Sequence, residues 1–378
     1  MNIAVNCRLL QREKLEGIGW FMFESLKRIT VDHPEHQFFF IFDRKYDEEF
    51  IFSDNIHPII AGPPTRHPLL WYYWMEFTIP SVLKKVEADL FFSPDGYLSL
   101  RSGVPSVPVI HDINFAHRPK DLPFWTRKYY NYFFPKFAGR AKRICTVSEF
   151  SKNDLNKTYG VDLSLIDVVY NGANPKYLPI EENKKQIARD KYTEGKPYFL
   201  FIGSLHPRKN LNNLIKAYDK FVEKTGSDIK LVIVGAAMWR NTKSFRDLIG
   251  PHNESRVIFT GRLDQEELGS VLASAFALTF VPWFEGFGIP VLEAMYVQLP
   301  VLTSTETSLP EVGGEAALYA YPNDIEEIAS KMEIIVSNNE IRNNLITRGK
   351  EQKLKFSWDK TAEKVWKSLE SVLIEQKR

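Results

Sequence analysis

The sequence predicts an α/β protein made of two doubly wound, Rossmann-like parallel sheets. Short β-branched or aromatic runs alternate with longer helical patterns, which is typical of βα units. This alternation stops and then begins again near the middle of the chain. The length of 378 residues, against about 100 to 200 for a typical domain, leaves room for two domains.

The first half of the chain alternates between apolar strand-like runs and amphipathic segments. The predicted strands cover residues 3–6, 38–42, 90–92, 107–110 and 144–147. The predicted helices cover residues 19–29, 69–86, 126–138 and 149–158. Apolar runs of this length suit strands that are buried on both faces of a parallel sheet.

The second half repeats the pattern. Its predicted strands cover residues 198–202, 230–234, 257–259, 277–281 and 301–303, and its helices start near Asn210, Thr242, Asp264 and Ile289. Three further helices, over residues 324–337, 340–355 and 358–376, end the chain without another strand.

A domain boundary is predicted near residue 175. Turn chemistry over residues 168–175 leads into the charged stretch 181–196, which is typical of an interdomain connection. The expected domains are 1–175 and 176–357. We expect the helix in 358–378 to brace the second domain or to cross back to the first.

Composition excludes intrinsically disordered, collagen-like and disulfide-scaffold proteins. Apolar residues at 44% and charged residues at 25% are globular averages, and a net charge of +2 does not favour a nucleic-acid partner. Cys7 and Cys145 lie far apart in apolar runs, which favours buried thiols and a reducing compartment. No secretory signal is recognised, and the longest uncharged stretch, 268–284, is shorter than the roughly 20 residues of a membrane span. We therefore expect a cytoplasmic protein.

The segment 282–293 is the most informative in the chain. It follows a buried strand, and Gly286 and Gly288 let backbone approach a ligand at the start of a helix. Amide groups at such a start favour anions or hydroxyl-rich ligands, and Glu285 and Glu293 could face the same ligand. The residues alone equally allow a glycine turn into an ordinary helix with solvated glutamates.

Glu-Gly-Phe-Gly at 285–288, with Glu293 eight positions after Glu285, resembles the E-x7-E signature of family-four retaining glycosyltransferases, which use nucleotide-sugars. That family has the GT-B fold, in which two Rossmann-like domains face a central cleft. The resemblance implies that Glu285 lies beside the donor sugar and that Glu293 binds the ribose. The donor-binding residues implied on this segment are Gly286, Phe287, Gly288, Ile289 and Glu293.

The stretch 202–210 resembles the family's glycine loop after the first strand of the second domain. There a Lys and an Arg bind the donor diphosphate, which implies this role for Lys209 and Arg208, with Gly203 in the loop. Many members have Arg directly after that glycine, where this chain has Ser204. Paired cations suit a leaving group that gains negative charge. The alternative is a solvated pair at a helix start.

Smaller matches extend the resemblance over nearly the whole chain. His111, at the end of an apolar strand, resembles the family's His-Asp strand tip and would contact the donor sugar; a structural histidine is the alternative. Gly17 and Gly19 resemble the flexible glycine loop near the diphosphate and the acceptor. Gly261, in Phe-Thr-Gly-Arg, is a further landmark that we assign to the donor side.

Some motifs are missing from the sequence. No Asp-x-Asp pair, zinc-like cluster, Walker loop or Gly-x-Ser-x-Gly elbow occurs. We therefore expect metal-independent catalysis with no cofactor, the nucleotide-sugar being a substrate. With no side-chain nucleophile evident, the family mechanism implies that the departing diphosphate deprotonates the acceptor hydroxyl.

A basic and aromatic stretch runs from Arg118 to Arg143. Its eight cations face one acid, Asp121, among eight aromatic residues, and residues 69–75 are similarly aromatic. This composition suits anionic headgroups on the inner face of a membrane, or a lipid-diphosphate acceptor. The alternative is that the aromatic residues are core and the cations a solvated face.

The resemblance implies transfer of a sugar, most closely mannose from GDP-mannose, to a hydroxyl of a glycan or lipid-linked acceptor. The alternatives are a UDP-sugar donor, a GT-B nucleotide-sugar epimerase, and a non-enzymatic two-domain sugar-binding protein. The last normally needs export, for which no signal is recognised.

Overall fold

The computed structural model describes residues 1–12, 15–236 and 243–376. The chain divides into one unit of Met1–Gly172 with Ser357–Arg378, and a second of Ala173–Phe356. The chain passes from the first unit to the second after Gly172, slightly before the predicted boundary at 175. It returns at Ser357, so the C-terminal helix belongs to the first unit. The predicted helix start at Thr242 and the last two residues of the 358–378 segment lie outside the described residues.

The strands of both units are parallel to their neighbours. In the first unit they are β1 (Asn2–Asn6), β2 (Gln37–Phe42), β3 (Ile56–Ile60), β4 (Leu90–Ser93), β5 (Ser106–Pro108), β6 (Ile144–Thr146) and β7 (Ile166–Val168). In the second unit they are β8 (Tyr198–Ile202), β9 (Lys230–Val234), β10 (Val257–Gly261), β11 (Ala277–Phe280), β12 (Val301–Ser304) and β13 (Leu318–Ala320).

The helices lie between these strands and at the end of the chain. They are α1 (Gly17–Asp32), α2 (Pro68–Tyr73), α3 (Ile79–Lys85), α4 (Asn114–His117), α5 (Phe124–Arg140), α6 (Glu149–Tyr159), α7 (Glu182–Thr193), α8 (Leu211–Thr225), α9 (Lys243–Arg246), α10 (Gln265–Ser274), α11 (Ile289–Tyr296), α12 (Leu309–Gly313), α13 (Ile325–Ser337), α14 (Asn339–Gln352) and α15 (Trp358–Gln376).

The sheet orders are those of doubly wound folds. The first unit has the order β3-β2-β1-β4-β5 with a separate β6-β7 pair, and the second has β10-β9-β8-β11-β12-β13. The strand order reverses between β1 and β4 in one sheet and between β8 and β11 in the other. Ligands of such sheets bind outside the carboxyl ends of the strands at this reversal. We therefore expect functional polar side chains at two places, the β1/β4 reversal of the first sheet and the β8/β11 reversal of the second.

Local structure differs from the sequence predictions in three details. The charged stretch 181–196, predicted as an interdomain connection, contains a helix, α7, which packs on α10 and buries only Ala188 and Thr193. Because so few of its residues are buried, the sequence of α7 lacks the helical periodicity of apolar residues that would predict it. The single helix predicted over 69–86 is interrupted by a π-helical turn, Trp74–Thr78. Gly17 and Gly19 form no loop, since both lie in the first turn of α1.

Other features agree with the sequence. Cys7 and Cys145 are buried and form no disulfide, as expected. In the described part of the chain, no helix combines the length and the hydropathy that crossing a bilayer requires.

Candidate active site

The largest group of predicted site residues lies at the strand reversal of the second unit. Residues 203–210 follow β8, and residues 281–288 follow β11, its neighbour in the sheet. Because both strands end at the same edge, two segments that are distant in sequence meet there.

A buried ion cluster joins these segments. Oε1 of Glu285 accepts hydrogen bonds from Lys209 Nζ and lies 2.9 Å from Arg208 Nη1. Arg208 Nη1 also donates to the carbonyl of Phe284 at 3.0 Å. Glu285 and Lys209 are only 7% and 8% exposed, so the alternative of a solvated Arg208–Lys209 pair does not hold for Lys209. Two cations held by one carboxylate in a poorly hydrated place suit an anionic ligand.

Hydroxyl groups after β12 hold the glutamate segment. Thr307 Oγ1 accepts from the Glu285 amide at 3.2 Å, and Ser308 Oγ donates to the carbonyls of Glu285 at 2.9 Å and Phe287 at 3.0 Å. Thr307 and Ser308 were not predicted. Their only signal in the sequence is a short polar run directly after a buried strand.

Glycine is required at the start of α11. Gly288 has φ +101°, and a Cβ there would lie 2.5 Å from a methyl group of Leu309. Gly286 is buried in the same turn, and Ile289 begins the helix. The segment therefore has little freedom to move away from the ion cluster.

The cation segment is fixed as firmly. His206 Nδ1 accepts from the Arg208 amide at 3.2 Å, and the Trp283 amide donates to the Arg208 carbonyl at 2.8 Å. Asn210, in left-handed conformation at φ +60°, donates from Nδ2 to the carbonyls of Val281 and Pro322. Asn210 is a positioning residue that sequence reasoning missed.

Three glycines pack at the carboxyl ends of β8, β9 and β10. The Gly203 amide donates to the Val234 carbonyl, and the Gly235 amide donates to the Gly261 carbonyl at 2.9 Å. A Cβ on Gly235 would lie 1.9 Å from the Gly203 carbonyl oxygen. Gly235 was not predicted, although this contact excludes any other residue there.

Glu293 lies one turn into α11 and is partly buried. Desolvation raises the pKa of its carboxyl group to about 8, and the buried Tyr177 is a neighbour. Within the described residues its carboxyl group makes no hydrogen bond or ion pair. A carboxyl group that is protonated near neutral pH can both donate to and accept from a hydroxyl pair.

His111, Gly17 and Gly19 belong to the first unit. The Nε2 atom of His111 lies 2.8 Å from the Pro94 carbonyl, and its ring meets Phe21 of α1 edge-on at 5.0 Å. Burial lowers the pKa of the imidazole, so the ring is neutral at pH 7. Within the second unit, the structure thus brings together Arg208, Lys209 and Glu285.

The strand reversal of the first unit has a polar cluster of its own. Arg8 follows β1 and donates from Nε to Asp95, which follows β4. Asp95 Oδ1 also accepts from Asn6 Nδ2 at 2.7 Å and Ser93 Oγ at 3.1 Å. Sequence reasoning missed Arg8 and Asp95, which stand 87 residues apart.

In the part of the chain that the structure describes, no three His, Cys, Asp or Glu side chains are grouped closely enough to hold a metal ion.

Comparison with known proteins gives matches to both units. The family model Glycosyltransferase Family 4 matches residues 34–177, and the model Glycosyl transferases group 1 matches residues 182–352. O-antigen chain mannosyltransferase B of Escherichia coli is 29% identical over 91% of this chain and 93% of its own length. O-antigen chain mannosyltransferase RfbU of Salmonella typhimurium is 28% identical over 68% of each chain.

Solved structures match the whole fold. Anabaena HepE in complex with UDP-glucose superposes with a TM-score of 0.77 at 16% identity, covering 98% of this chain and 100% of that one. WaaG, a glycosyltransferase of lipopolysaccharide biosynthesis, gives a TM-score of 0.75 at 18% identity over 96% and 98%. These neighbours confirm the predicted GT-B fold.

Proposed function

The chain belongs to glycosyltransferase family 4 and has the GT-B fold, and on this basis we propose that it transfers mannose from GDP-mannose to a hydroxyl of a glycan or lipid-linked acceptor. The mannosyltransferase relatives support the choice of sugar. The Lys209–Glu285–Arg208 cluster is the observation that supports the reaction class. A lipid-linked acceptor would also place the enzyme at a membrane surface.

The cluster suits a departing nucleoside diphosphate. As the bond between the sugar and the diphosphate breaks, negative charge develops on the diphosphate oxygens. Lys209 and Arg208 are already held by Glu285, so little reorganisation is needed to stabilise that charge. Glu285 itself would lie where the sugar gains oxocarbenium character, and its carboxylate would stabilise that positive charge.

We propose that no metal ion takes part. Two fixed cations supply the positive charge that a divalent ion provides in other sugar transferases. Transfer should therefore continue in EDTA at the rate seen without it. Loss of turnover that magnesium or manganese restores would contradict this part of the proposal.

We further propose that the anomeric configuration is retained. The departing diphosphate is the base nearest to the acceptor hydroxyl on the face it leaves, so attack on that face preserves the configuration. Proton NMR of the first product formed from an α-linked donor should show an α linkage. A β-linked first product would refute retention and leave the transferase assignment intact.

Thermal shift with nucleoside diphosphates tests the donor assignment. A ligand that binds only the native state raises the unfolding temperature by mass action, so GDP should raise it more than UDP, ADP or dTDP. Lys209→Ala should abolish most of the shift. A larger shift with UDP would favour a UDP-sugar donor, and no shift with any of them would refute the site.

A further inference from the structure

A continuous row of aromatic rings lies on the first unit, where α2 and the π-helical turn meet α5. The guanidinium carbon of Arg101 lies 4.4 Å above the Phe77 ring. The ring centroid of Phe77 lies 5.3 Å from that of Tyr73 and 6.3 Å from that of Tyr72. The ring centroids of Tyr72 and Phe133 of α5 are 5.7 Å apart. Tyr72, Tyr73 and Phe77 are all exposed.

The row continues along α5. Phe133 contacts Tyr132 at 4.9 Å, and Lys136 Nζ lies 3.4 Å above the Tyr132 ring. Trp125, Lys128, Tyr132 and Lys136 are exposed at helical spacing, so they form one stripe. We call the rings of Tyr72, Tyr73, Phe77, Tyr132 and Phe133 the aromatic face. Cations stand at both of its ends.

Acidic side chains are scarce around the aromatic face. Residues 66–86 and 124–140 contain one acid, Glu76. Glu76 is buried, accepts from the Leu100 amide at 3.0 Å, and lies 3.9 Å from Arg101. The exposed charge along the face is therefore positive.

Two shallow cavities open beside α3. One, of about 390 Å³, is lined in part by Lys84, Arg101 and the exposed acid Glu87. The other, of about 310 Å³, is lined in part by Tyr73, Phe77 and Ser81. Arg101 and Phe77 touch each other, so a basic recess adjoins an aromatic one.

We propose that the aromatic face docks on a bilayer that contains anionic phospholipid. Tyrosine and tryptophan favour the headgroup level of a membrane, where an apolar ring and a polar edge are both satisfied. Lys84, Arg101, Lys128 and Lys136 would meet lipid phosphates. Four exposed cations against one exposed acid, Glu87, favour this partner over a second copy of the chain, whose face would repel this one.

The structure corrects the expected extent of this surface. Arg118 and Arg143 are tied to Asp121 and Asp167, and three of the aromatic residues in that stretch, Tyr129, Phe134 and Phe137, are core. The surface is thus made by one stripe of α5 together with α2 and the π-helical turn.

Vesicle co-sedimentation tests the proposal with the full chain and without donor, so the result does not depend on transfer. The chain should pellet with phosphatidylcholine–phosphatidylglycerol vesicles and not with phosphatidylcholine alone. Arg101→Gln with Lys136→Gln should weaken binding about fivefold per cation removed. Tyr73→Ser with Phe77→Ser should weaken it while leaving its salt dependence unchanged.

Matched controls lie on the other unit. Tyr321→Ser and Lys350→Gln change exposed residues of the same types and should pellet as the unmodified chain does. Equal binding to both vesicle types, no binding to either, or unchanged binding of the aromatic-face variants would overturn the proposal. Loss of a dimer in the aromatic-face variants, without vesicle binding by the unmodified chain, would assign the face to self-association instead.

Discussion

Replacing Glu285 by Gln tests whether one carboxylate holds both cations of the second unit. The variant keeps the size of the side chain and one acceptor oxygen, but removes the negative charge that Lys209 and Arg208 share. Lys209 and Arg208 stay charged, so the variant loses the attraction of the carboxylate and not the hydrogen-bonding capacity of its oxygen. Removing one partner of a fully buried ion pair costs about 3–5 kcal/mol; because Gln keeps an acceptor oxygen and Arg208 is partly exposed, we expect a smaller loss of about 2–3 kcal/mol.

The loss should be visible in thermal unfolding. For a unit of this size about 1 kcal/mol corresponds to about 2–4 °C, so Glu285→Gln should lower the unfolding temperature by about 5–10 °C. Nucleoside diphosphate should restore more stability to the variant than to the unmodified chain, because the ligand then meets cations that the Glu285 carboxylate no longer neutralises. A tenfold tighter Kd would add about 1.4 kcal/mol. Turnover should fall through kcat, with a smaller change in KM.

The same substitution at Glu315 is the control. Glu315 pairs with Arg348 at 3.2 Å but is largely exposed, so its loss should change stability by less than about 1 kcal/mol. If Glu285→Gln unfolds at the temperature of Glu315→Gln and shows the same diphosphate shift, the carboxylate does not hold the cations and the reasoning fails.

Four further substitutions probe the same site. Lys209→Ala should lower kcat/KM about a hundredfold, and Arg208→Ala less, measured by donor titration; near-normal values for both would remove the diphosphate assignment. Glu293→Gln should raise donor KM with a modest change in kcat. Burial raises the Glu293 pKa from 4.5 to about 8, so the unmodified chain loses stability as the pH rises through that interval. The Gln variant has no carboxyl group to ionise there and should gain stability relative to the unmodified chain. Unfolding temperatures of the two proteins that change in parallel with pH would contradict this. Gly288→Ala should cost more in urea unfolding than Gly160→Ala, which has the same sign of φ but open space around its Cβ, and equal costs would exclude a steric requirement.

Most strands were predictable because they are buried on both faces and are therefore apolar along their length. The exceptions have physical reasons. β3 contains Pro58, which breaks a strand pattern in sequence but is tolerated at a sheet edge, where β3 lies. β7 carries the charged Asp167 at its centre and β13 is only partly buried, so neither is apolar along its length.

The site was predictable only in pieces. The glycine turns and the charged residues are local features, and a resemblance could assign them roles. The contact of Lys209 with Glu285 spans 76 residues and depends on β8 and β11 being neighbours, which no local pattern states. The hydrogen bonds of Thr307 and Ser308 to the backbone of residues 285–287 depend in the same way on β12 lying next to β11.

Charge balance at the two strand reversals gives an independent argument for where the nucleotide binds. In the first unit, one cation, Arg8, meets one carboxylate, Asp95, and both are buried, so the cluster is neutral and has its hydrogen bonds satisfied internally. In the second unit, Lys209 and Arg208 both lie on Glu285, so one carboxylate is shared between two cations. Paired and preorganised cations suit the two phosphates of a nucleoside diphosphate better than the single Arg8–Asp95 pair does. This difference supports placing the donor on the second unit.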